Sequence, residues 1–222
     1  MLGALAWSSV DRVAQQGTQA IIGIILARLL SPSDYGLMGV VMIFTTLSYI
    51  LVEGGFTASL VRTKEITKEH TNTVFYSNLA VSISLYIIFF FAAPLIADFF
   101  SQKELTPLIR VTNLALIFNS LYIVPYGLIE RELNFKKLAK INFISTTLSG
   151  LSGAVSAYYN VGVWALVIQQ TSYHFIRSIC FYIWQRWLPS LIFSKKIFEE
   201  YASFSVHILS SNILNIFFNN IC

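Results

Sequence analysis

The spacing of charge narrows the possible folds more than any other feature of this chain. Six stretches contain no Asp, Glu, Lys or Arg: Val13 to Ala27, Tyr35 to Val52, His70 to Ala97, Val111 to Ile129, Ile141 to Ile176 and Tyr201 to Cys222. A membrane-spanning helix needs about 20 mostly apolar residues. Of 222 residues, 55% are hydrophobic and 12% charged, whereas a soluble domain carries about 25% charged residues. A water-soluble globule cannot hide that much apolar surface, and a disordered chain does not contain it. The formal net charge is +4, but no basic cluster sits on a polar domain, which argues against nucleic acid as a partner. Cys180 and Cys222 both lie in apolar runs. They offer neither a disulfide framework nor a metal-ligand spacing. The expected class is an all-α, multi-pass membrane protein.

The stretch from Ile141 to Ile176 holds 36 residues. As one helix it would be about 54 Å long, too long for one bilayer. Tyr158-Tyr159-Asn160-Val161-Gly162 interrupts it and reads as a tight turn, so the stretch is a helical hairpin. The expected spans are about 5–29, 36–61, 74–97, 107–129, 141–158, 162–185 and 201–222. That makes six complete helices and a seventh at the chain end. The corresponding division is a transmembrane unit over 1–187, a cytoplasmic linker over 188–200 and a further helix over 201–222.

Local chemistry marks the helix starts. Ser31 is placed to cap a helix whose first residue is Pro32, with Asp34 in the first turn, where negative charge suits the dipole. Thr106-Pro107 is expected to repeat the device before the fourth helix. Pro125 lies inside that helix and is expected to kink it.

Orientation follows from the loops. Those after helices 2, 4 and 6 hold Arg62, Lys64, Lys68, Arg131, Lys136, Lys137, Lys140, Arg186, Lys195 and Lys196. Those after helices 1, 3 and 5 hold only Arg28, Lys103 and Arg110. Ten against three places the N-terminus and the even loops in the cytoplasm. The basic stretch from Arg131 to Lys140 is also suited to contact anionic lipid headgroups. No basic region followed by a small-residue cleavage site precedes helix 1, so that helix is expected to be retained.

No phosphate loop, nucleophile motif or metal cluster stands out, and enzyme chemistry, cofactors and metals are not expected. The informative residues are polar groups inside spans, which are costly there and mark pathways. Arg12, Gln15, Gln16, Gln19 and Gly23 recur at helical spacing and form one polar stripe on helix 1. They either line a wet cavity, with Arg12 facing an anionic group, or Arg12 snorkels to the headgroups or pairs with Asp11. Glu53, before Gly54 and Gly55, serves as the site of a coupling cation, as the partner of a cavity arginine, or as a carboxylate in a shallow aqueous mouth. Gln170, His174 and Arg177 share a face at i, i+4 and i+7. They are cavity residues, or a helix–helix contact with a snorkelling arginine. Arg110 is either an interfacial anchor or a site residue. His207, Ser211, Asn215 and Asn219 form a last stripe, for a cavity or for helix packing. The aromatic residues Trp164, Trp184, Trp187, Tyr158 and Tyr159 fall near span ends, as an aromatic belt does.

Several motifs together resemble a known family. They are Leu30-Ser31-Pro32-Ser33-Asp34-Tyr35-Gly36, Glu53-Gly54-Gly55-Phe56, Asn72-Thr73-Val74-Phe75, Arg131-Glu132-Leu133-Asn134-Phe135-Lys136 and Gly162-Val163-Trp164-Ala165-Leu166-Val167. The chain resembles the bacterial flippases of lipid-linked O-antigen and capsule repeat units, within the multidrug/oligosaccharidyl-lipid/polysaccharide exporter superfamily. The resemblance implies two six-helix lobes around a central cavity, about twelve to fourteen helices in all. This chain would supply the first lobe and the opening helix of the second, and would need the missing lobe or a second copy. It also implies movement of an undecaprenyl-diphosphate-linked oligosaccharide from the cytoplasmic to the periplasmic leaflet of the inner membrane. In that picture Arg12 and Arg177 take the diphosphate, Gln15 and Gln19 line the cavity, and Glu53 is an ion-coupling or gating partner. A multidrug exporter of the same superfamily would carry an acidic cavity for cationic drugs, and the intramembrane charges here lean basic; the other alternative is a membrane fragment that does not transport.

Overall fold

The computed structural model describes residues 2–53, 60, 63 and 65–202, with side chains from residue 12 onward except that of Glu53. The stripe His207, Ser211, Asn215 and Asn219, with Gly54, Gly55, Arg62 and Lys64, lies outside the described residues. Among the described residues, seven helices follow one another: α1 Leu2–Leu29, α2 Pro32–Glu53, α3 Lys68–Phe99, α4 Leu105–Thr112, α5 Leu114–Arg131, α6 Phe135–Tyr158 and α7 Trp164–Gln185. Helical backbone resumes at 195 and runs through 202.

The turn chemistry explains the boundaries. Ser31 and Asp34 form a reciprocal cap before Pro32. The Asp34 carboxylate accepts from the Ser31 N–H at 2.9 Å and from its hydroxyl at 2.6 Å, and the Asp34 N–H points back at the Ser31 hydroxyl. Both ends of the orphaned first turn are thereby satisfied. α3 starts earlier than the expected 74. A capping box between Thr67 and His70 begins it at Lys68, and a search for charge-free runs excludes Lys68 and Glu69 by construction. The hairpin turn is as expected. Asn160 and Gly162 sit at φ of 58° and 60°, the left-handed region that these two residue types enter most cheaply. A Cβ at Gly162 would also come 3.1 Å from the Asp34 carboxylate, so the two turns pack closely.

The expected fourth helix is two helices. It breaks at Asn113, next to Thr112; both residues compete with the helix through their own side chains. Pro125 stays within α5. The expected cap at Thr106 is absent: α4 opens at Leu105 after Glu104, with no side-chain cap, and Pro107 falls in the first turn, where its missing N–H costs nothing. Within residues 188–200, helical backbone resumes at 195.

α1 lies mainly along α6, α6 along α7, α7 along α5, and α5 along α3. Two glycines allow the tight seams. A Cβ at Gly150 would meet Ile22 of α1, and one at Gly153 would come 2.8 Å from the Gln169 Cβ of α7. Small residues are how helices approach in a bilayer, where apolar burial supplies no drive.

Large apolar side chains cover the outside of the bundle, and polar side chains share its interior with the apolar core. Phe91, Leu95 and Ile43 are 73%, 72% and 63% exposed, while Asn78, Thr112, Asn119 and Ser145 are buried. Among the described residues three stretches, Pro32–Val52, Lys68–Phe99 and Leu105–Arg131, are long and apolar enough to cross a membrane. The last runs through the break at Asn113, so α4 and α5 together make one crossing length. The chain is an all-helical, multi-pass membrane protein.

Candidate functional site

Two adjoining features lie among α1, α2, α5, α6 and α7. The first is a hollow of about 240 Å³ lined by Gln19 of α1, Met38 and Met42 of α2, Thr146 and Ser149 of α6, and Leu166, Gln169, Gln170 and Tyr173 of α7. It exists because α1 leans on α6 while α2 packs against α3, α4 and α5. Two of the residues expected to line a cavity, Gln19 and Gln170, meet there. The Gln170 Oε1 and the Thr146 hydroxyl are buried and have no hydrogen-bond partner. Such groups cost about 1–3 kcal/mol each unless water or a ligand completes them.

The second feature is a polar chain one to two turns further along α7. The His174 imidazole reaches the Tyr49 hydroxyl of α2 through Nε2 at 2.8 Å and the Tyr122 hydroxyl of α5 through Nδ1 at 3.0 Å. Arg177 donates to the same Tyr122 oxygen at 3.3 Å. An arginine N–H only donates. The chain is satisfied when the Tyr122 O–H donates to Nδ1 and Nε2–H donates to Tyr49.

Aromatic faces surround the Arg177 charge. Its guanidinium carbon lies 4.7 Å from the Tyr122 ring centre, 5.5 Å from Tyr126, 5.6 Å from Tyr173 and 5.7 Å from Phe181. Each contact is attractive, and more so away from water. Among the described residues no carboxylate lies within ion-pair reach of Arg177, and its Nε–H is buried without a partner. The arrangement holds a fixed positive fork with a free donor, the form of charge suited to phosphate oxygens. Tyr173 belongs to both features, lining the hollow and flanking Arg177.

The expected face Gln170, His174 and Arg177 is therefore assembled, but it divides between the hollow and the aromatic cluster. Arg12 is exposed on α1 and takes part in neither feature; Gln15 is half-buried. Glu53 ends α2, one turn beyond Tyr49, and its side chain lies outside the described residues. Arg110 is bound elsewhere: its Nε–H donates to the Phe90 carbonyl at 3.1 Å, and its guanidinium lies 4.1 Å from the Phe90 ring centre. Sequence reasoning missed Tyr49, Tyr122, Tyr126 and Tyr173. One signal was available, since Tyr122 and Tyr126 lie at i and i+4 on a helix that must cross beside an arginine lacking an evident carboxylate.

A family model described as "Polysaccharide biosynthesis protein" matches residues 25–222. The succinoglycan biosynthesis transport protein ExoT of Rhizobium meliloti is 28% identical over 95% of this chain and 43% of its own length. The teichuronic acid biosynthesis protein TuaB of Bacillus subtilis is 25% identical over 97% of this chain and 45% of its own. The lipopolysaccharide biosynthesis protein WzxC of Escherichia coli is 26% identical over 93% and 40%. The chain thus spans less than half the length of these curated relatives. No solved structure matches it.

Proposed function

The chain belongs to the polysaccharide biosynthesis protein family, and from that premise we propose that it is the first lobe of a lipid-linked oligosaccharide flippase. The full protein moves undecaprenyl-diphosphate-linked repeat units from the cytoplasmic to the periplasmic leaflet of the bacterial inner membrane, for surface polysaccharide synthesis. The transmembrane unit is 1–187, a six-span lobe in which α4 and α5 count as one crossing. Its N-terminus and lysine-rich loops are cytoplasmic. The segment from 201 opens the second lobe.

One observation carries the reading: a glutamine-lined hollow lies next to an arginine that has no carboxylate partner among the described residues, inside a membrane bundle of this family. Sugar hydroxyls need amide and hydroxyl partners, and a diphosphate needs fixed cationic donors. Arg177 takes the diphosphate, with His174 in its hydrogen-bonded chain. Gln15, Gln19 and Gln170 serve the sugar. Arg12 makes first contact at the cytoplasmic end, and Glu53 serves a coupling cation or the gate. The lipid tail stays in the bilayer.

The test uses the intact protein in a host lacking its own exporter, with surface polysaccharide measured at matched membrane expression. Arg177→Ala is expected to lower export about tenfold, the worth of a charge-assisted bond, with lipid-linked repeat units accumulating on the cytoplasmic side. Arg177→Lys recovers little, because an ammonium lacks the fork. Undiminished export from both variants would remove Arg177 from the substrate path.

A further inference from the structure

A second hollow, of about 270 Å³, lies away from the candidate site, where the start of α6 meets the end of α7. It is lined by Asn134, Lys136, Lys137, Lys140 and Trp184. The tight turn at 159–163 makes α6 and α7 antiparallel, so the first turns of one must face the last turn of the other. Lys136, Lys137 and Lys140 fall on one face of α6 by their spacing. The wall contains three ammonium groups and no carboxylate.

The lining is held in place. The Lys137 ammonium donates to the Gln185 Oε1 at 2.6 Å, which fixes its position and leaves donors to spare. The Asn134 Oδ1 accepts from the Lys137 N–H at 3.2 Å while capping the helix, so its amide group remains a donor. Neither Lys137 nor Lys140 has a carboxylate within ion-pair reach among the described residues.

The surroundings are those of a membrane interface. Trp184 is 38% exposed, and Phe143, one turn deeper on α6 than Lys140, is 49% exposed. An indole at headgroup depth over apolar surface is the pattern of an interfacial anchor. A phosphate seated among the lysines would have its acyl chains run down past Phe143. We propose that this hollow binds the phosphate of an anionic membrane phospholipid.

The inference is independent of the transport reading. Its test is native mass spectrometry of the intact protein released from neutral detergent, with phosphatidylglycerol, phosphatidylcholine, inorganic phosphate and a prenyl diphosphate as separate probes. Phosphatidylglycerol is expected to be retained in preference to phosphatidylcholine. Lys137→Gln with Lys140→Gln is expected to weaken it by about fivefold per lysine. Lys137→Arg with Lys140→Arg keeps the charge and restores retention. Lys195→Gln with Lys196→Gln removes equal charge elsewhere and leaves retention unchanged. Equal losses from both glutamine pairs, or equal retention of phosphatidylcholine, would overturn the site. Displacement of the lipid by inorganic phosphate at matched concentration, or a stronger hold on the prenyl diphosphate, would overturn its assignment to phospholipid.

Discussion

The two ends of this bundle are built on opposite terms. At the end formed by the turns 30–31, 100–104 and 159–163, the interior is an apolar cluster that includes Leu26, Leu30, Met38, Leu105, Leu108, Ile109 and Val163. From the middle of the bundle toward the lysine-rich end the interior holds Asn78, Ser82, Asn119, Ser145 and Thr146, each with a buried polar atom lacking a partner. In a bilayer, apolar side chains gain little from being inside. The apolar end is held by close packing and by satisfied turns. The polar end keeps groups that cost stability, which under the proposed function serve a hydrated substrate.

Three substitutions set these ends against each other. The largest effect belongs to the packed end. Leu108 is fully buried, and Leu108→Ala is expected to cost about 2 kcal/mol. That lies at the low end of the range for such truncations in water, because only packing is lost where lipid replaces water. Thermal unfolding of the purified intact protein reads this, and export per folded molecule is expected to hold. A variant as stable as the parent would show that this end is not a packed plug. The next effect has the opposite sign. Neither polar atom of Asn78 has a partner, so Asn78→Leu is expected to raise stability by about 1 kcal/mol while lowering export. Lower stability from this change would mean that Asn78 is already satisfied and the contrast between the ends is false. The smallest effect is at the first turn. Ser31→Ala removes the reciprocal cap with Asp34 and is expected to cost about 0.5–1 kcal/mol, read by the same unfolding measurement. No change would show that water caps α2 equally well.

The cap of α2 and the hairpin turn at 158–162 were legible from sequence because each is a local bargain. Ser31, Pro32 and Asp34 satisfy one another, and Asn160 and Gly162 take a backbone shape that few other residues take cheaply. The break at Asn113 was not legible, because charge-free length does not register a helix that stops and restarts without leaving the bilayer. The cap at Thr67 was missed for a related reason, since the search for apolar runs discards the charged first turn. Gln19 and Gln170 were found because polar residues inside a span are conspicuous. The tyrosines around Arg177 were not, because a tyrosine is ordinary at a membrane interface and its depth depends on which face it occupies.

What the sequence alone determined is the solvent and the class: charge-free runs of this length have few homes except a bilayer, and a bilayer permits them only as helices. It also determined the tight turns, whose residues have few other conformations. Only the tertiary structure decided which polar residues meet. Helical spacing places Gln170, His174 and Arg177 on one face, but the neighbours of that face come from α1, α2, α5 and α6. Those neighbours are chosen by the small-residue seams at Gly150 and Gly153 and by the packing of α1 on α6 rather than by any nearness in the chain. That choice divides one sequence stripe into a glutamine-lined hollow and an aromatic seat for a single arginine.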